Sequence, residues 1–198
     1  VIAGVAILAG GEATRLPGKL ELPAGNVPLV LRVLRNVRPG RETVIACKGS
    51  FSRALDAQLD VPLVVDRWSR QGPLSGLLSA LAVLRCERVF ALAGDAPFVD
   101  GAFLERLEAA WAPGDEAVVP IRLVEGSPQL EPLCALYERK AVLREGPAIV
   151  RSEGGSLRAL VRRLQARFVP VDETLVFSNV NTASQYAELG AELARRPA

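Results

Sequence analysis

Apolar positions in this chain follow two rhythms. Short unbroken apolar runs predict strands at residues 2–8, 43–47, 62–65 and 88–92. Between them, apolar residues recur at helical spacing, which predicts helices at residues 28–37, near 52–59, at 73–84 and at 101–111. In the first, Leu29, Leu31, Val33 and Leu34 are apolar; in the last, Phe103, Leu104, Leu107 and Trp111 share a face. Repeated alternation of strand and helix predicts an α/β fold of three layers, with a mostly parallel sheet and right-handed crossovers. After Pro113-Gly114 the pattern loosens. Residues 117–121 and 132–137 read as strands with antiparallel pairing at the sheet's edge, and 156–164 as a short helix. Residues 167–171 read as a further strand and 184–195 as a terminal helix. With no linker, repeat or low-complexity tract, residues 1–198 are expected to form one domain.

Composition narrows the function classes. At 49% apolar and 23% charged, the 198 residues describe a folded chain. A net charge of +2 argues against a nucleic-acid surface. Histidine is absent, which excludes Ser-His-Asp hydrolysis, Cys-His catalysis and His-ligated zinc. Cys47, Cys86 and Cys134 lack metal or redox spacing and are expected to be small buried hydrophobes. No run approaches the ~20 apolar residues of a membrane span, so a cytoplasmic protein without membrane partners is expected.

Chemistry concentrates in the glycine-punctuated stretch after the first strand, Leu8-Ala9-Gly10-Gly11-Glu12-Ala13-Thr14-Arg15-Leu16-Pro17-Gly18-Lys19. Backbone amides can approach an anion where no Cβ intervenes, and Arg15 and Lys19 neutralise charge. Lys19 is one of only three lysines in an arginine-rich chain. A Walker loop is excluded because Leu20 follows Gly18-Lys19 and Ala13 stands where a glycine is needed. A dinucleotide fingerprint is excluded because Thr14 and Arg15 occupy the later small-residue positions.

Three further segments fall where an open parallel sheet places ligands, beyond the carboxyl ends of its strands. Asp95, in Gly94-Asp95-Ala96-Pro97-Phe98, is expected to project a carboxylate suited to Mg²⁺, with Phe98 tucked beneath the turn; an Asx-turn or helix cap is the plainer role. Asp66 precedes Gly72-Pro73-Leu74-Ser75-Gly76, the start of a helix whose N–H groups are expected to be free for an anion or a ribose hydroxyl. Thr182 or Ser184 can cap the last helix, which leaves Asn179 and Asn181 for metal or substrate. Arg158, Arg162 and Arg163 read as a solvated helix face, with a grip on a second phosphorylated substrate as the other reading. Trp68 and Trp111 read as boundary packing, with a ligand border as the other reading for Trp68, which lies in the loop beside Asp66.

These residues together resemble the molybdenum cofactor guanylyltransferases, a branch of the nucleotidyltransferase superfamily. The likeness rests on residues 8–11 with Arg15 and Lys19, on residues 72–76, 94–98 and 132–137, and on Asn179-Val180-Asn181-Thr182. It implies a Rossmann-like fold of the nucleotide-diphospho-sugar transferase type. It also implies GTP and molybdopterin as substrates, Mg²⁺ as cofactor, and transient contact with molybdenum-insertion or acceptor enzymes. By this resemblance Leu8, Ala9, Gly10 and Gly11 meet the nucleotide, while Lys19 stabilises charge on the phosphates with Arg15 beside the pyrophosphate. Asp66 and Gly72 contact the nucleotide, Asp95 holds the metal and takes part in catalysis, and Asn179 and Asn181 lie near metal and acceptor. Gly18 stands where the family usually has Asp, and Cys47 where an Asn often follows the second strand. Two alternatives stay open: a related transferase using CTP or a sugar or polyol phosphate, and a catalytically silent nucleotide-binding partner in molybdenum cofactor delivery.

Overall fold

The strand β1 (Gly4–Leu8) runs through the middle of an eight-stranded sheet and delivers its carboxyl end to a cleft. A computed structural model describes residues 2–10, 16–66, 68 and 72–195, with Thr174 described through its backbone alone. After β1, a short 3₁₀ turn at Lys19–Glu21 leads into a small hairpin, β2 (Pro23–Ala24) with β3 (Val27–Pro28), and then α1 (Leu29–Val37). There follow β4 (Thr43–Cys47), α2 (Arg53–Asp56), β5 (Leu63–Val65), α3 (Pro73–Leu81), β6 (Arg88–Ala93) and α4 (Gly101–Ala109). The second half contains β7 (Ala117–Val124), β8 (Ser127–Leu130), β9 (Cys134–Glu138), α5 (Arg139–Glu153), α6 (Leu157–Val161), β10 (Ala166–Pro170) and α7 (Ala183–Arg195).

The sheet order is β10-β7-β9-β6-β1-β4-β5, with β8 paired to β7. Strands β5, β4, β1 and β6 are mutually parallel. β9 runs antiparallel to both β6 and β7. The expected antiparallel pairing therefore falls on the expected strands, but β9 lies inside the sheet, with β7 and β10 beyond it.

Both faces of the central strands are covered, which is why they read as unbroken apolar runs. Val5 and Ile7 of β1, with Phe90 and Leu92 of β6, pack beneath α1 and α4. Ala6, Val89 and Ala91 face α3, α5 and α6. The expected helices α2, α3 and α4 end two or three residues early. In α3 the cause is visible: its last turn tightens, with Ala82 N–H donating to Ser79 O and Val83 N–H to Ala80 O.

The β2–β3 hairpin, helix α5 and strand β8 escape the hydropathy pattern. Helix α5 carries Gly146 and Pro147 in its interior, which break the helical signal, and Gly146 lies against Leu78 of α3. Strand β8 closes a two-residue hairpin in which Glu125 (φ 52°) and Gly126 (φ 78°) are both left-handed, the geometry that matches strand twist.

Beneath the N-terminal end of the sheet, Arg41 and Glu108 form a bidentate pair at 2.6 and 2.9 Å. Glu108 also accepts the Ala3 N–H at 2.7 Å. Burial alone would push the Glu108 carboxyl up, but Arg41 and the Ala3 amide outweigh it and hold it below the usual carboxylate range. Its contribution is complete above the unfolded carboxylate pKa of ~4.3 and is lost as pH falls through the lower folded value. Glu108→Gln is thus expected to cost about 1–3 kcal/mol in urea unfolding at pH 7, with the deficit shrinking below about pH 4. A deficit unchanged by acidification would contradict the assignment.

The three cysteines are free; Cys47 and Cys134 are buried and Cys86 half-buried, and burial pushes each thiol up. Arg162 and Arg163 are paired with Glu153, and Arg163 also with Glu145, so the solvated-face reading holds for both. Trp111 packs at the core boundary with Arg88 over its ring, and Trp68 packs against the opposite core. Among the described residues no helix is long and apolar enough to cross a membrane.

Candidate active site

The carboxyl ends of β1, β4, β5 and β6 open onto one cleft of about 650 Å³. Leu8, Ala9 and Gly10 leave β1 along one side, beside Ala93, Gly94 and Asp95 at the end of β6. The two tips are joined: Gly94 N–H donates to Leu8 O at 3.1 Å, and Ala9 N–H donates to Ala46 O at 2.7 Å. The Ala9 amide is consequently committed to the sheet, while the Leu8 carbonyl keeps one lone pair for a ligand.

Lys19 reaches this cleft from a turn in which Gly18 is left-handed (φ 69°) and Lys19 N–H donates to Leu16 O at 3.2 Å. Its ammonium forms an ion pair with Asp95 and donates to Asn181 Oδ1 at 2.8 Å. The Lys19 and Asp95 side chains are only 15% and 11% exposed, so water screens the pair weakly. Residues separated by 76 and 162 positions in sequence thus meet at one ammonium.

Small packing explains why they meet. Leu16, Ala24, Leu29, Phe98, Val180 and Leu193 cluster under the site, so the Lys19 turn, the Asp95 turn and the C-terminal segment share one apolar anchor. Phe98 is buried beneath its turn, as expected. Val180 N–H donates to Asp95 O at 3.1 Å, which ties residues 179–181 to the β6 tip. Helix capping falls to other residues. Asp100 accepts the Phe103 N–H at the start of α4, and Thr182 accepts the Gln185 N–H at the start of α7. Asp95, Asn179 and Asn181 are left to face the cleft.

Asp66 behaves differently. It is buried, and its carboxylate takes the Trp68 N–H at 3.1 Å, the Ser75 hydroxyl at 2.7 Å and the Ser79 hydroxyl at 3.3 Å. It lines the cleft while fastening the β5 tip to the first turn of α3. Gly72 and Pro73 also line the cleft. The N–H groups expected to be free there are not: Pro73 has none, Leu74 N–H donates to Gly155 O, and Ser75 N–H donates to Gly72 O. The turn between α5 and α6 takes the Leu74 amide, and Gly72 takes the Ser75 amide. Gly11 and Arg15 lie outside the described residues.

Sequence reasoning overlooked Glu21, Ser50, Phe51 and Leu133, all of which border the cleft. Ser50 and Phe51 lie three and four residues past the end of β4, and the rule that ligands lie past strand ends could have found them. Cys47 is not part of the lining; its thiol donates to Gly49 O at 2.9 Å. Glu21 accepts the Ser52 N–H at 2.8 Å, linking the Lys19 turn to the segment after β4.

Among the described residues no cluster of three or more His, Cys, Asp or Glu could cage a metal. The donors present are hard oxygens: the Asp95 carboxylate and the side-chain carbonyls of Asn179 and Asn181. That set suits Mg²⁺ held by one carboxylate and completed by substrate phosphates and water.

Residues 5–171 match the MobA-like NTP transferase domain. The chain is 28% identical over 199 residues to a Carboxydothermus hydrogenoformans protein named probable molybdenum cofactor guanylyltransferase, covering 93% of each. It is 29% identical over 189 residues to the molybdenum cofactor guanylyltransferase of Pseudomonas putida, covering 90% of this chain and 92% of that one. Its fold is similar to the crystal structure of molybdopterin-guanine dinucleotide biosynthesis protein A from Archaeoglobus fulgidus, with a TM-score of 0.80 and 24% identity, over 98% of this chain and 100% of that one. With its mostly parallel sheet, its cleft at the strand tips and a domain match over most of its length, the chain belongs to the MobA-like NTP transferase family, and it is a nucleotidyltransferase.

Proposed function

We propose that the cleft binds Mg-GTP and transfers GMP to the terminal phosphate of molybdenum-bound molybdopterin, giving molybdopterin guanine dinucleotide cofactor and pyrophosphate. The observation that carries this reading is the meeting of Lys19, Asp95 and Asn181 at the tips of β1 and β6. The names of the relatives support guanine as the base and the molybdenum cofactor as the acceptor.

An acceptor phosphate oxygen forms the new bond to the α-phosphorus of GTP. The bond from the α-phosphorus to the bridging oxygen breaks, and its electron pair leaves with pyrophosphate. The acceptor is already an oxyanion, so no general base is required, in keeping with a chain that has no histidine. Lys19 stabilises the charge that develops on the leaving group, and Arg15 is assigned to the same pyrophosphate. Asp95 would hold Mg²⁺, with Asn179 and Asn181 alongside; when bound, the ion neutralises phosphate charge and aligns the oxygens. Leu8, Gly10 and Gly11 offer main-chain groups to the nucleoside, and Asp66 and Gly72 shape the wall beside it. On this reading the protein works in the cytoplasm, with transient contact to molybdenum-insertion or acceptor enzymes.

Pyrophosphate release with Mg²⁺, molybdenum-molybdopterin and each nucleotide in turn is the direct test. GTP is expected to support release well above CTP. Equal rates with CTP would remove the guanine assignment, and GTP binding without release would leave a nucleotide-binding partner protein instead.

A further inference from the structure

We propose that Lys19 guards the metal position, and that Asn181 is the positioning residue that keeps it there. The Lys19 ammonium occupies the Asp95 carboxylate. A divalent cation gains Asp95 only when a triphosphate draws the ammonium away. The inference rests on the nucleotidyltransferase reading and adds a coupling between metal and nucleotide.

Among the described residues three carboxylates line the cleft, and two of them are engaged elsewhere. Asp66 is engaged by Trp68, Ser75 and Ser79, and Glu21 takes the Ser52 amide. Asp95 is paired with Lys19. A dication at Asp95 must therefore displace this ammonium or sit against it, and like charges a few ångströms apart in a poorly screened cleft repel. Asn181 adds to the cost of displacement, because its Oδ1 accepts a second hydrogen bond from the ammonium at 2.8 Å.

The parts that hold the ammonium are separate from the part that carries it. Asn181 follows Val180, whose N–H is fixed to the Asp95 carbonyl at 3.1 Å, whereas Lys19 comes from the turn at Leu16 to Lys19. Its flexible stem can swing away while the Asp95–Val180 link stays intact. Phosphate oxygens offer the ammonium an alternative partner and bring oxygen ligands for the metal. The metal and the triphosphate should then strengthen each other's binding by one common factor.

The probe is Mn²⁺ alone, titrated into nucleotide-free protein, with free aquo-Mn²⁺ followed by electron paramagnetic resonance. Lys19→Met is expected to bind Mn²⁺ at least ~10-fold tighter than the wild type, opposite to a loss of a metal-site residue. Asn181→Ala also removes an oxygen donor, so it is read through the coupling: the factor by which a nucleotide raises Mn²⁺ affinity should be smaller than in the wild type. Adding Asp95→Asn to Lys19→Met should abolish the gain. A non-hydrolysable GTP analogue should raise the wild-type Mn²⁺ affinity and change that of Lys19→Met much less. Lys19→Gln serves as a second neutral variant, and unliganded thermal midpoints verify folding. Equal or weaker Mn²⁺ binding by both neutral variants overturns the guard. A wild-type thermal midpoint unmoved by GTP overturns the nucleotide site instead, so the two failures are distinguishable.

Discussion

Lys19→Ala lowers the turnover of GTP and acceptor to pyrophosphate at least ~100-fold, and Asp95→Ala does the same; these are the results expected if the cleft works by fixed charge. Removing one preorganised electrostatic group costs about 2.7–4 kcal/mol of barrier, which sets that scale. The two residues form an ion pair, yet the losses should have different causes. Without Lys19 the leaving group loses its counter-charge, while Asp95 remains to hold a cation. Without Asp95 the ammonium remains, and on the proposed reading the metal loses the carboxylate that would hold it. Raising the Mg²⁺ concentration should therefore recover part of the Asp95→Ala loss and none of the Lys19→Ala loss. Steady-state kinetics across a Mg²⁺ series decides this. Near-wild-type turnover in either variant would remove the charge-based mechanism.

The local half of this site was legible in the sequence. Small residues after an apolar strand, and a Gly-Asp-Ala-Pro-Phe turn after another, each follow from backbone sterics over a few residues. What brings Lys19, Asp95 and Asn181 to a single ammonium is not local. It depends on an apolar cluster drawn from Leu16, Phe98, Val180 and Leu193, and no short pattern records that cluster. Asp66 makes the same point in reverse. Its position past β5 marked it as a ligand contact, but two serines of α3 and the Trp68 amide claim its carboxylate.

The fold shows a similar division. The parallel half, from β1 to α4, alternates regularly, and its sheet strands and helices emerge from hydropathy alone, the small β2–β3 hairpin excepted. Strand β9 is inserted antiparallel between β6 and β7, an order decided by packing between distant segments. Helix α5 stayed hidden because Gly146 and Pro147 interrupt it, although the Gly146 approach to Leu78 is part of how α3 and α5 fit together.

That fit continues to the rim of the cleft, where Gly72→Ala is expected to destabilise the protein by about 2–4 kcal/mol, or roughly 5–15 °C in thermal midpoint. A Cβ built at Gly72 would lie 2.5 Å from Gly154 O, 2.6 Å from Gly155 O and 2.8 Å from Gly155 C. All three are backbone atoms, so no side chain can rotate away to make room. Gly154 and Gly155 are themselves left-handed, at φ 67° and 75°, which leaves their turn few other conformations. Relief must come from moving α3 away from that turn, and the Leu74 N–H to Gly155 O bond of 3.0 Å then breaks. The Ser75 hydroxyl, whose single proton is shared between Asp66 and Gly72 O, would be displaced with it. The cleft wall should shift, so on the proposed reading KM for GTP is expected to rise more than turnover falls. A Gly72→Ala protein with unchanged midpoint and unchanged KM would show that the turn yields freely, and Gly72 would then have no part in shaping the cleft.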